Sequence, residues 1–596
     1  MTTFDHREGL YLEELQVRLR RLAWIAAAFF AAVIAGYWSL QILEASEYRA
    51  LSENNRLRKG PISAPRGLIT DVEGRRLVEN VPSYRLHFDR SAADDRDASL
   101  VFAANVLEVE TEELQRRLAE VGSVPDFKPV LLAEDLSLNQ VSRFEVASLE
   151  HPEFSIEVLH RRLYRHGAHT AHVLGYLGEV TEEDLRDRER GLRSGHLVGK
   201  KGLEYNFDDE LRGSDGERVL VVDSRGRRID EFVEAPATAG ENLELTLDLE
   251  LQQEAEEALG DRVGAVVALD PRDGAVRVLL SSPSYDPNKF ARRLQKDEWD
   301  ALVSSPFHPL QNRAIQNSYP PGSVFKIVLA IAQLSEGLDA YDKVWCGGSV
   351  RLHDRRRRCH LSRGHGWVDL HDAIKHSCDI YFYQKGQELG IDKIAEYARK
   401  LGLGQRTGID LDGERAGLVP DAAWSQRVRN TRWYPGETVS VAIGQGPLLV
   451  TPLQAAVMLA AVVNGGRLVT PYLVDEHAQA AKDLQLGEDE LAEVRRALEA
   501  VVNDLGSGAS ARLEAVRIGG KTGTAQVIEQ KTWTSSDSLP YEHRDHAWFA
   551  SYAPADAPEL VVVVFVEHGG QGSRSAAPIA RKLYERYFGS RRPDAS

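Results

Sequence analysis

A serine and a lysine near the middle of the chain have the spacing of an activated nucleophile. The motif SVFK places Ser323 three residues before Lys326, directly after a Tyr-Pro-Pro-Gly turn. If a helix begins at this turn, the two side chains lie one turn apart on the same face. Serine is a weak nucleophile at its own pKa, and a lysine that has lost its proton can activate it. The spacing therefore predicts an acylating serine, whose backbone N–H at the helix N-terminus can help to hold an oxyanion.

Two further motifs follow in the same half of the chain. SCD, at Ser377–Asp379, lies at the start of a predicted helix, and KTGTA, at Lys521–Ala525, is predicted to be a strand. The strand carries one positive charge, two hydroxyl side chains and a glycine that lets a substrate backbone approach closely. Each motif alone is weak, because a serine three residues before a lysine is common on ordinary exposed helices. The ordered set S-x-x-K, S-D-N and K-T-G is specific to serine β-lactamases and penicillin-binding proteins.

All three cysteines of the chain lie in one stretch between the first motif and the end of the second. With a histidine they form the pattern Cys346-x12-Cys359-x5-His365-x12-Cys378. Three thiolates and an imidazole make a closed tetrahedral set, which suits structural zinc. A disulfide between two of the cysteines is the alternative, and unrelated small apolar residues beside a loop histidine are another. His360 is the rival ligand; we favour His365 because its flanking glycines let the loop approach a metal.

The N-terminal region contains a predicted membrane helix. Residues 22–43 carry no charge, and at 1.5 Å per residue they span about 30 Å of hydrocarbon. The run is preceded by Arg18, Arg20 and Arg21. By the positive-inside rule this predicts that residues 1–21 are a cytoplasmic tail and that the chain after the run lies outside the cytoplasm. A cleaved signal peptide and a buried core helix are the alternatives. The run is long for the first and lacks the polar face expected of the second, so an uncleaved anchor is favoured.

The chain of 596 residues is too long for one core and predicts two to four domains. Its net charge of −17 argues against nucleic acid as a partner. Residues 44–240 are predicted to form an elongated mixed region, with a hairpin at Arg66–Leu77 and a helix at Val101–Gly122. Residues 241–590 are predicted to form an antiparallel sheet covered by helices. Two apolar strands around a Pro-Arg-Asp-Gly turn begin this domain, and a strand pair and an amphipathic helix end it. The fold class is therefore α+β.

The sequence resembles the class B penicillin-binding proteins, and among them the elongation-type subgroup. The resemblance covers nearly the whole chain. It includes RGLITDVEGRRL, AHVLGYLGEV and GKKGLEYNFDDELRG before residue 240, and PLQNRAIQNSYPPGSVFK, SCDIYFYQ, IGQGPLLVTPLQ, KTGTAQ and EHGG after it. It implies a transpeptidase domain of the penicilloyl-serine transferase fold on a non-catalytic pedestal. Two departures are an aspartate at Asp379, where many relatives carry asparagine, and Tyr164–Gly167 in place of a Tyr-Pro-x-Gly pattern.

The resemblance also implies residue roles. Ser323 would be acylated by the penultimate D-alanine of a stem peptide, with Lys326 as general base and Ser377 relaying protons to the leaving amine. Lys521 and Thr522 would hold the substrate carboxylate, and the oxyanion would lie between the N–H groups of Ser323 and Thr524. Implied catalytic residues are Ser323, Lys326, Ser377, Asp379 and Lys521, and implied substrate-binding residues are Thr522, Gly523 and Thr524. An acceptor-only carboxylate at Asp379 requires partners that donate hydrogen bonds.

The same resemblance implies cofactors, partners and place in the cell. Similar proteins carry zinc at the cysteine stretch, so one structural zinc per chain and no organic cofactor are expected. Stem peptides and lipid-linked glycan would be substrates. A RodA-type polytopic glycosyltransferase and other elongation-complex proteins would be partners, because no second catalytic constellation is present. The chain would be anchored in the inner membrane with its catalytic domain in the periplasm. The alternative functions are a D,D-carboxypeptidase or β-lactamase, which the pedestal and the anchor disfavour, and a β-lactam sensor or divisome scaffold without turnover.

Overall fold

The structure is a computed structural model in which two compact units are described. It describes residues 5–46, 56–120, 122, 125–126, 128–186, 192–193, 195–222, 228–292, 294, 296–353, 355–528 and 536–589. The first unit comprises Met1–Ala64, Ser83–Leu159 and Ser214–Thr238, and the second comprises Pro65–Pro82, His160–Gly213 and Ala239–Ser596. The units interleave along the sequence, because the chain leaves each of them and returns.

The first unit begins with one long helix. An α-helix spans Asp5–Trp38 and continues as a π-helical turn at Ser39–Leu43. Within the described residues, Leu15–Leu43 is the one stretch long and apolar enough to cross a membrane, and its most apolar window has no buried residue. An apolar helix with no protein around it is what a membrane anchor requires. The helix contains the uncharged run from residue 22 to residue 43.

The rest of the first unit combines short helices with antiparallel strands. One sheet pairs Leu57–Ile62 with Gly216–Val222, and Gly216–Val222 with Arg228–Ala235. The first unit also contains the helices Arg96–Leu107, Thr111–Glu120 and Leu138–Val146 and the strand Val130–Ala133. They enclose a small core that includes Leu86, Phe88, Leu100 and Phe144.

The single helix predicted for Val101–Gly122 is wrong, because the structure has two helices there. The first ends at Leu107, and Glu108 takes a left-handed conformation with φ of 61°. The N–H groups of Glu108 and Val109 both return to the carbonyl of Ala104, which caps the helix. The turn redirects the chain, so that Leu114 of the next helix is buried in the same core.

A five-stranded antiparallel sheet lies at the centre of the second unit. Its strands, in spatial order, are Val276–Ser282, Gly264–Leu269, Leu560–Val566, His546–Ala553 and Gly519–Ala525. All seven residues of Leu560–Val566 are buried. Because successive side chains of a strand point to opposite faces, both faces of the sheet are covered. This is the helix-covered sheet that the sequence predicts.

Fifteen α-helices of the second unit surround this sheet or extend the loops around it. They are Ala171–Leu174, Gly202–Asn206, Asp208–Arg212, Leu249–Leu259, Lys296–Ser304, Lys326–Ser335, Leu370–Lys375, Asp379–Leu389, Ile391–Lys400, Ala422–Trp424, Pro435–Val441, Pro452–Val463, Glu488–Asn503, Gly572–Ser575 and Ala577–Gly589 in the part of the chain that is described. The helix Pro452–Val463 is buried along its whole length and begins with a capping box between Thr451 and Gln454.

Further strands, most of them short, complete the unit. They are Ile69–Thr70, Arg76–Phe88, Phe154–Tyr164, Tyr176–Glu179, Leu197–Lys201, Leu243–Glu244, Val344–Cys346, Ser349–Leu352, Arg355–Arg358, Gly366–Val368, Arg467–Leu468 and Lys482–Asp483, and two of them, Arg76–Phe88 and Phe154–Tyr164, carry residues of both units.

A buried ion network in the second unit joins two of the motifs on which the resemblance rests. Glu204 is fully buried and accepts from Arg162 at 2.7 Å and Arg66 at 2.8 Å. Arg66 also contacts Asp208, whose carboxylate accepts the N–H of Gly199. Burial alone would raise the pKa of Glu204, but the two guanidinium groups hold that pKa below its ordinary value. Charges paired in this way fix the segments around Arg66 and Glu204 to one another.

Candidate active site

The turn that carries Ser323 is packed against the edge strand of the central sheet. A 3₁₀ turn spans Gly322–Phe325, and the α-helix Lys326–Ser335 follows it directly. Gly322 has φ of 53°, and a Cβ there would lie 2.5 Å from the carbonyl oxygen of Thr524. Only glycine fits this approach, so the backbone beside the half-buried Ser323 lies directly against the KTGTA strand.

Lys326 reaches from the nucleophile helix to the second motif. Its side chain is fully buried, and Nζ donates to the carbonyl oxygen of Ser377 at 2.9 Å. Nζ also lies 3.2 Å from Ser377 Oγ and 2.6 Å from Asp379 Oδ1. The amine therefore connects the first motif to both polar side chains of the second. Ser377 adopts φ of 54°, a left-handed conformation unusual for a residue other than glycine.

Asp379 lies between Lys326 and the cysteine-rich loop. Its Oδ2 accepts the backbone N–H of His360 at 2.9 Å, while Oδ1 accepts from Lys326. Burial would raise the pKa of Asp379, but the charge of Lys326 and the imidazole side chain of His360 hold that pKa below its ordinary value. Both of these partners are donors, as an aspartate in place of asparagine requires.

Lys521 and Thr522 lie on the edge strand Gly519–Ala525. Lys521 is fully buried, and its Nζ donates to the carbonyl oxygen of Thr522 at 3.2 Å. Burial, together with the nearby Lys326, holds the pKa of Lys521 well below its ordinary value. The Thr522 hydroxyl lies 2.8 Å from the hydroxyl of Ser507, whose N–H donates to the carbonyl of Lys375. A cation and two hydroxyls therefore lie close together at this edge.

Gly523 and Thr524 complete the strand beside the nucleophile. A Cβ on Gly523 would lie 2.9 Å from Trp548 Cβ and 3.0 Å from the Pro321 carbonyl oxygen. Thr524 accepts a hydrogen bond on its carbonyl oxygen from Gln445 Nε2 at 3.3 Å. These contacts hold the strand edge next to the turn that carries the serine.

The cysteine-rich loop brings four potential metal ligands together. The sulfur atoms of Cys346, Cys359 and Cys378 and a ring nitrogen of His365 all lie within 4.8 Å of one another. The cysteines are buried, and none forms a disulfide. A hydrogen bond from Cys378 lowers the pKa of the Cys359 thiol. His360, the rival ligand, lies instead in a second group with Cys359 and Asp379.

The donor set has the dimensions of a tetrahedral zinc site. His365 Nδ1 lies 3.5 Å from Cys346 Sγ and 3.6 Å from Cys359 Sγ. Tetrahedral bonds of about 2.3 Å to sulfur and about 2.0–2.1 Å to nitrogen would separate the two ligand atoms by about 3.5 Å. Gly364 and Gly366, on either side of the histidine, both have positive φ and form the tight turn that presents it. The residues therefore fit a zinc ion in number, type and spacing.

Comparison with known proteins identifies the family. The sequence model of the penicillin-binding protein transpeptidase domain matches residues 264–585, and that of the penicillin-binding protein dimerisation domain matches residues 61–245. The peptidoglycan D,D-transpeptidase MrdA of Haemophilus influenzae is 34% identical, over 93% of this chain and 89% of its own length. The chain belongs to the MrdA, or PBP2, family of penicillin-binding proteins.

Solved structures agree with this assignment. The PBP2 of Helicobacter pylori in complex with MreC has a TM-score of 0.80 and 28% identity, over 90% of this chain and 99% of that chain. A chain of a peptidoglycan synthase complex that coordinates polymerization and crosslinking has a TM-score of 0.74 and 32% identity, over 97% and 100% of the two chains. This PBP2-family chain is therefore a peptidoglycan D,D-transpeptidase of cell elongation, and the predicted fold, enzyme class and function are confirmed.

Three polar contacts of this PBP2-family site were not predicted from the sequence. They are made by the side chains of Ser507 and Gln445 and the backbone N–H of His360. Gln445 lies in IGQGPLLVTPLQ, one of the segments that carry the resemblance. The sequence therefore indicates that this segment matters, but it does not indicate the contact that Gln445 makes. Ser507 lies in a Gly-Ser-Gly turn with no local signal of a partner 15 residues further along the chain. The departure at Tyr164–Gly167 leaves Tyr164 buried, with Asn288 hydrogen-bonded to both its N–H and its carbonyl.

Proposed function

We propose that Ser323 is the acylated nucleophile of this transpeptidase and that Lys326 is its base. Ser323 Oγ attacks the carbonyl carbon of the penultimate D-alanine, and the peptide bond to the terminal D-alanine breaks. The proton from Ser323 passes through Lys326 and Ser377 to the leaving amine. The amine of a second stem peptide then attacks the acyl-serine and restores the hydroxyl. The observation that carries this proposal is the 3.2 Å contact between the buried Lys326 Nζ and Ser377 Oγ.

The strand beside the nucleophile supplies the binding groups. Lys521 and Thr522 hold the terminal carboxylate of the stem peptide, with Ser507 orienting the Thr522 hydroxyl. A carboxylate next to the buried Lys521 favours the charged amine, which offsets the effect of burial on its pKa. The N–H groups of Ser323 and Thr524 bind the oxyanion, and Gly523 gives the substrate backbone room at the strand. Asp379 orients Lys326.

Intact-protein mass spectrometry after incubation with benzylpenicillin tests the nucleophile and the enzyme class together. We expect one adduct with the full mass of the antibiotic, since ring opening loses no atoms, and we expect peptide mapping to place it on Ser323. An adduct that disappears within minutes would indicate a β-lactamase. No adduct, or an adduct on another residue, would contradict the proposed nucleophile.

The cysteine-rich loop is proposed to hold one structural zinc. Cys346, Cys359, His365 and Cys378 would be its ligands, and the closed set leaves no position for a substrate. When bound, the metal supplies folding free energy and no reaction step. Ser377 precedes the ligand Cys378, and His360, which contacts Asp379, follows the ligand Cys359. The site therefore supports the second catalytic motif from two sides.

Protein purified without chelator should contain about one zinc per chain by elemental analysis. Cys359→Ser should lower the zinc content to well under half of this value, lower the melting temperature and slow acylation by penicillin. Ser362→Ala, in the same loop but without a ligand atom, is the matched control and should change none of the three. If the protein contained no zinc and its mass were lower by two hydrogen atoms than that of the reduced chain, a disulfide would be present instead.

The apolar N-terminal helix and the relatives suggest the cellular arrangement. The arginines before the apolar helix support, by the positive-inside rule, a tail in the cytoplasm and a catalytic unit in the periplasm. Glycan polymerisation is proposed to come from a RodA-type glycosyltransferase in the same membrane. The related structures support an assembly of this kind, because one is a PBP2 bound to MreC and another is a peptidoglycan synthase complex.

A further inference from the structure

Two exposed tryptophans face each other beside the cysteine-rich loop. Val344–Cys346 and Gly366–Val368 form a two-stranded sheet in which Trp345 and Trp367 are direct partners. Their rings lie 5.6 Å apart at 63°, and the residues are 57% and 63% exposed. The geometry leaves more than half of each residue open to solvent. Paired large aromatic side chains on a surface, unlike single ones, are typical of a binding site.

The neighbouring hairpin is strongly basic. It pairs Ser349–Leu352 with Arg355–Arg358, and Arg355 and Arg356 are exposed. Residues 343–368 contain seven basic residues and one acidic residue, a net charge of +6 in a chain whose net charge is −17. A basic region in an otherwise acidic protein attracts an anionic partner and repels cationic ones.

The two-stranded sheet that carries the tryptophans and the arginine hairpin join at the cysteine cluster. Cys346 ends one strand of that sheet, and Cys359 directly follows the arginine hairpin. The N–H of Cys359 donates to the Gly348 carbonyl at 2.9 Å, which links the base of the hairpin to the residues that follow Cys346. The sulfur of Cys378 lies in the same cluster, one residue after Ser377. The aromatic and basic residues are thus built onto the loop that positions the second catalytic motif.

We propose that Trp345, Trp367 and the run Arg355–Arg358 bind a peptidoglycan strand outside the acyl-transfer site. Sugar rings present flat C–H faces that pack on indole rings, and stem peptides carry carboxylates that pair with guanidinium groups. A strand carries both features in repeating order, and it is the substrate of the transpeptidase function on which this assignment rests. The site holds the strand while its stem peptide enters the catalytic site. An anionic membrane surface also attracts tryptophan and arginine, but attachment to the catalytic loop favours the substrate.

Binding of the full-length protein in detergent to three ligands tests the proposal. They are uncross-linked glycan strands with stem peptides, the same strands stripped of stem peptides, and vesicles of phosphatidylglycerol and phosphatidylethanolamine. Trp345→Ala with Trp367→Ala should weaken binding to both strand preparations about tenfold or more. Arg355→Gln with Arg356→Gln should weaken binding to stem-bearing strands more than binding to stripped strands, which keep only one lactyl carboxylate per disaccharide. Penicillin acylation should be unchanged in both variants, because the small substrate does not reach this surface.

Two variants serve as controls. Trp299→Ala removes a tryptophan that is 42% exposed elsewhere in the unit and should not alter strand binding. Trp345→Tyr with Trp367→Tyr keeps two aromatic rings and should retain most of the affinity. Unchanged strand binding in the double alanine variant would overturn the proposal, as would a loss confined to vesicles. A parallel fall in penicillin acylation would show that the pair is structural. Failure of the nucleophile proposal is distinguishable, because wild-type protein would then bind strands without being labelled at Ser323.

Discussion

Ser323→Ala should abolish covalent labelling by a fluorescent penicillin. Without the hydroxyl, no acyl-enzyme can form, and loss of a nucleophilic serine typically lowers rates by about 10⁴-fold or more. The fold should remain intact, because Ser323 is only half-buried and removal of one oxygen leaves no large cavity. In-gel fluorescence at increasing times measures the effect directly.

A second serine provides the matched control for this experiment. Ser335 ends the same helix that begins at Lys326. Ser335→Ala should label at the wild-type rate, since its hydroxyl has no place in the site. If the Ser323→Ala variant were labelled at a measurable fraction of that rate, the nucleophile would have to be another residue.

Lys326→Arg should reduce the acylation rate constant by about 10³-fold, within the range for removal of a general base. The base must accept the serine proton, which a neutral amine can do and a guanidinium group, which stays protonated, cannot. The guanidinium can still pair with Asp379, so the positive charge that holds the second motif is kept. Stopped-flow acylation by a chromogenic cephalosporin gives the rate constant, and circular dichroism checks that the variant is folded.

Lys289→Arg makes the same substitution at a surface 3₁₀ turn and should acylate normally. The comparison separates a loss of basicity from a general effect of arginine. If the Lys326→Arg protein were folded and its acylation rate constant lay within a few-fold of the wild-type value, Lys326 would be excluded as the base.

The local structure around the motifs could be predicted because short-range patterns determine it. Ser323 and Lys326 start a helix as their spacing indicates, and KTGTA is a strand. The cysteine pattern predicted a four-residue cluster because no other cysteines compete for partners. Residue type alone also predicted that Asp379 would have donors as partners, although it could not name His360 as one of them.

Long-range arrangement could not be predicted in the same way. Residues 44–240 are predicted as one region along the chain, and the contacts in the structure group Pro65–Pro82 and His160–Gly213 of this region with the central sheet. Contacts such as that of the Gly202 N–H with the Asp412 carboxylate contribute to this grouping, and they join residues far apart in sequence. The helix break at Glu108 could not be predicted, because a left-handed glutamate carries no sequence signal of the kind that glycine gives.

The packing behind the nucleophile has a consequence for antibiotic resistance. Gly444 lies so close to Gly322 that an added Cβ would be 2.0 Å from a Gly322 backbone atom, and a Cβ on Gly572 would be 2.6 Å from the Gly523 carbonyl oxygen. Because backbone packs directly against backbone at these glycines, any side chain added there would displace the main chain around the turn. Selection by β-lactams would therefore find few tolerated changes here.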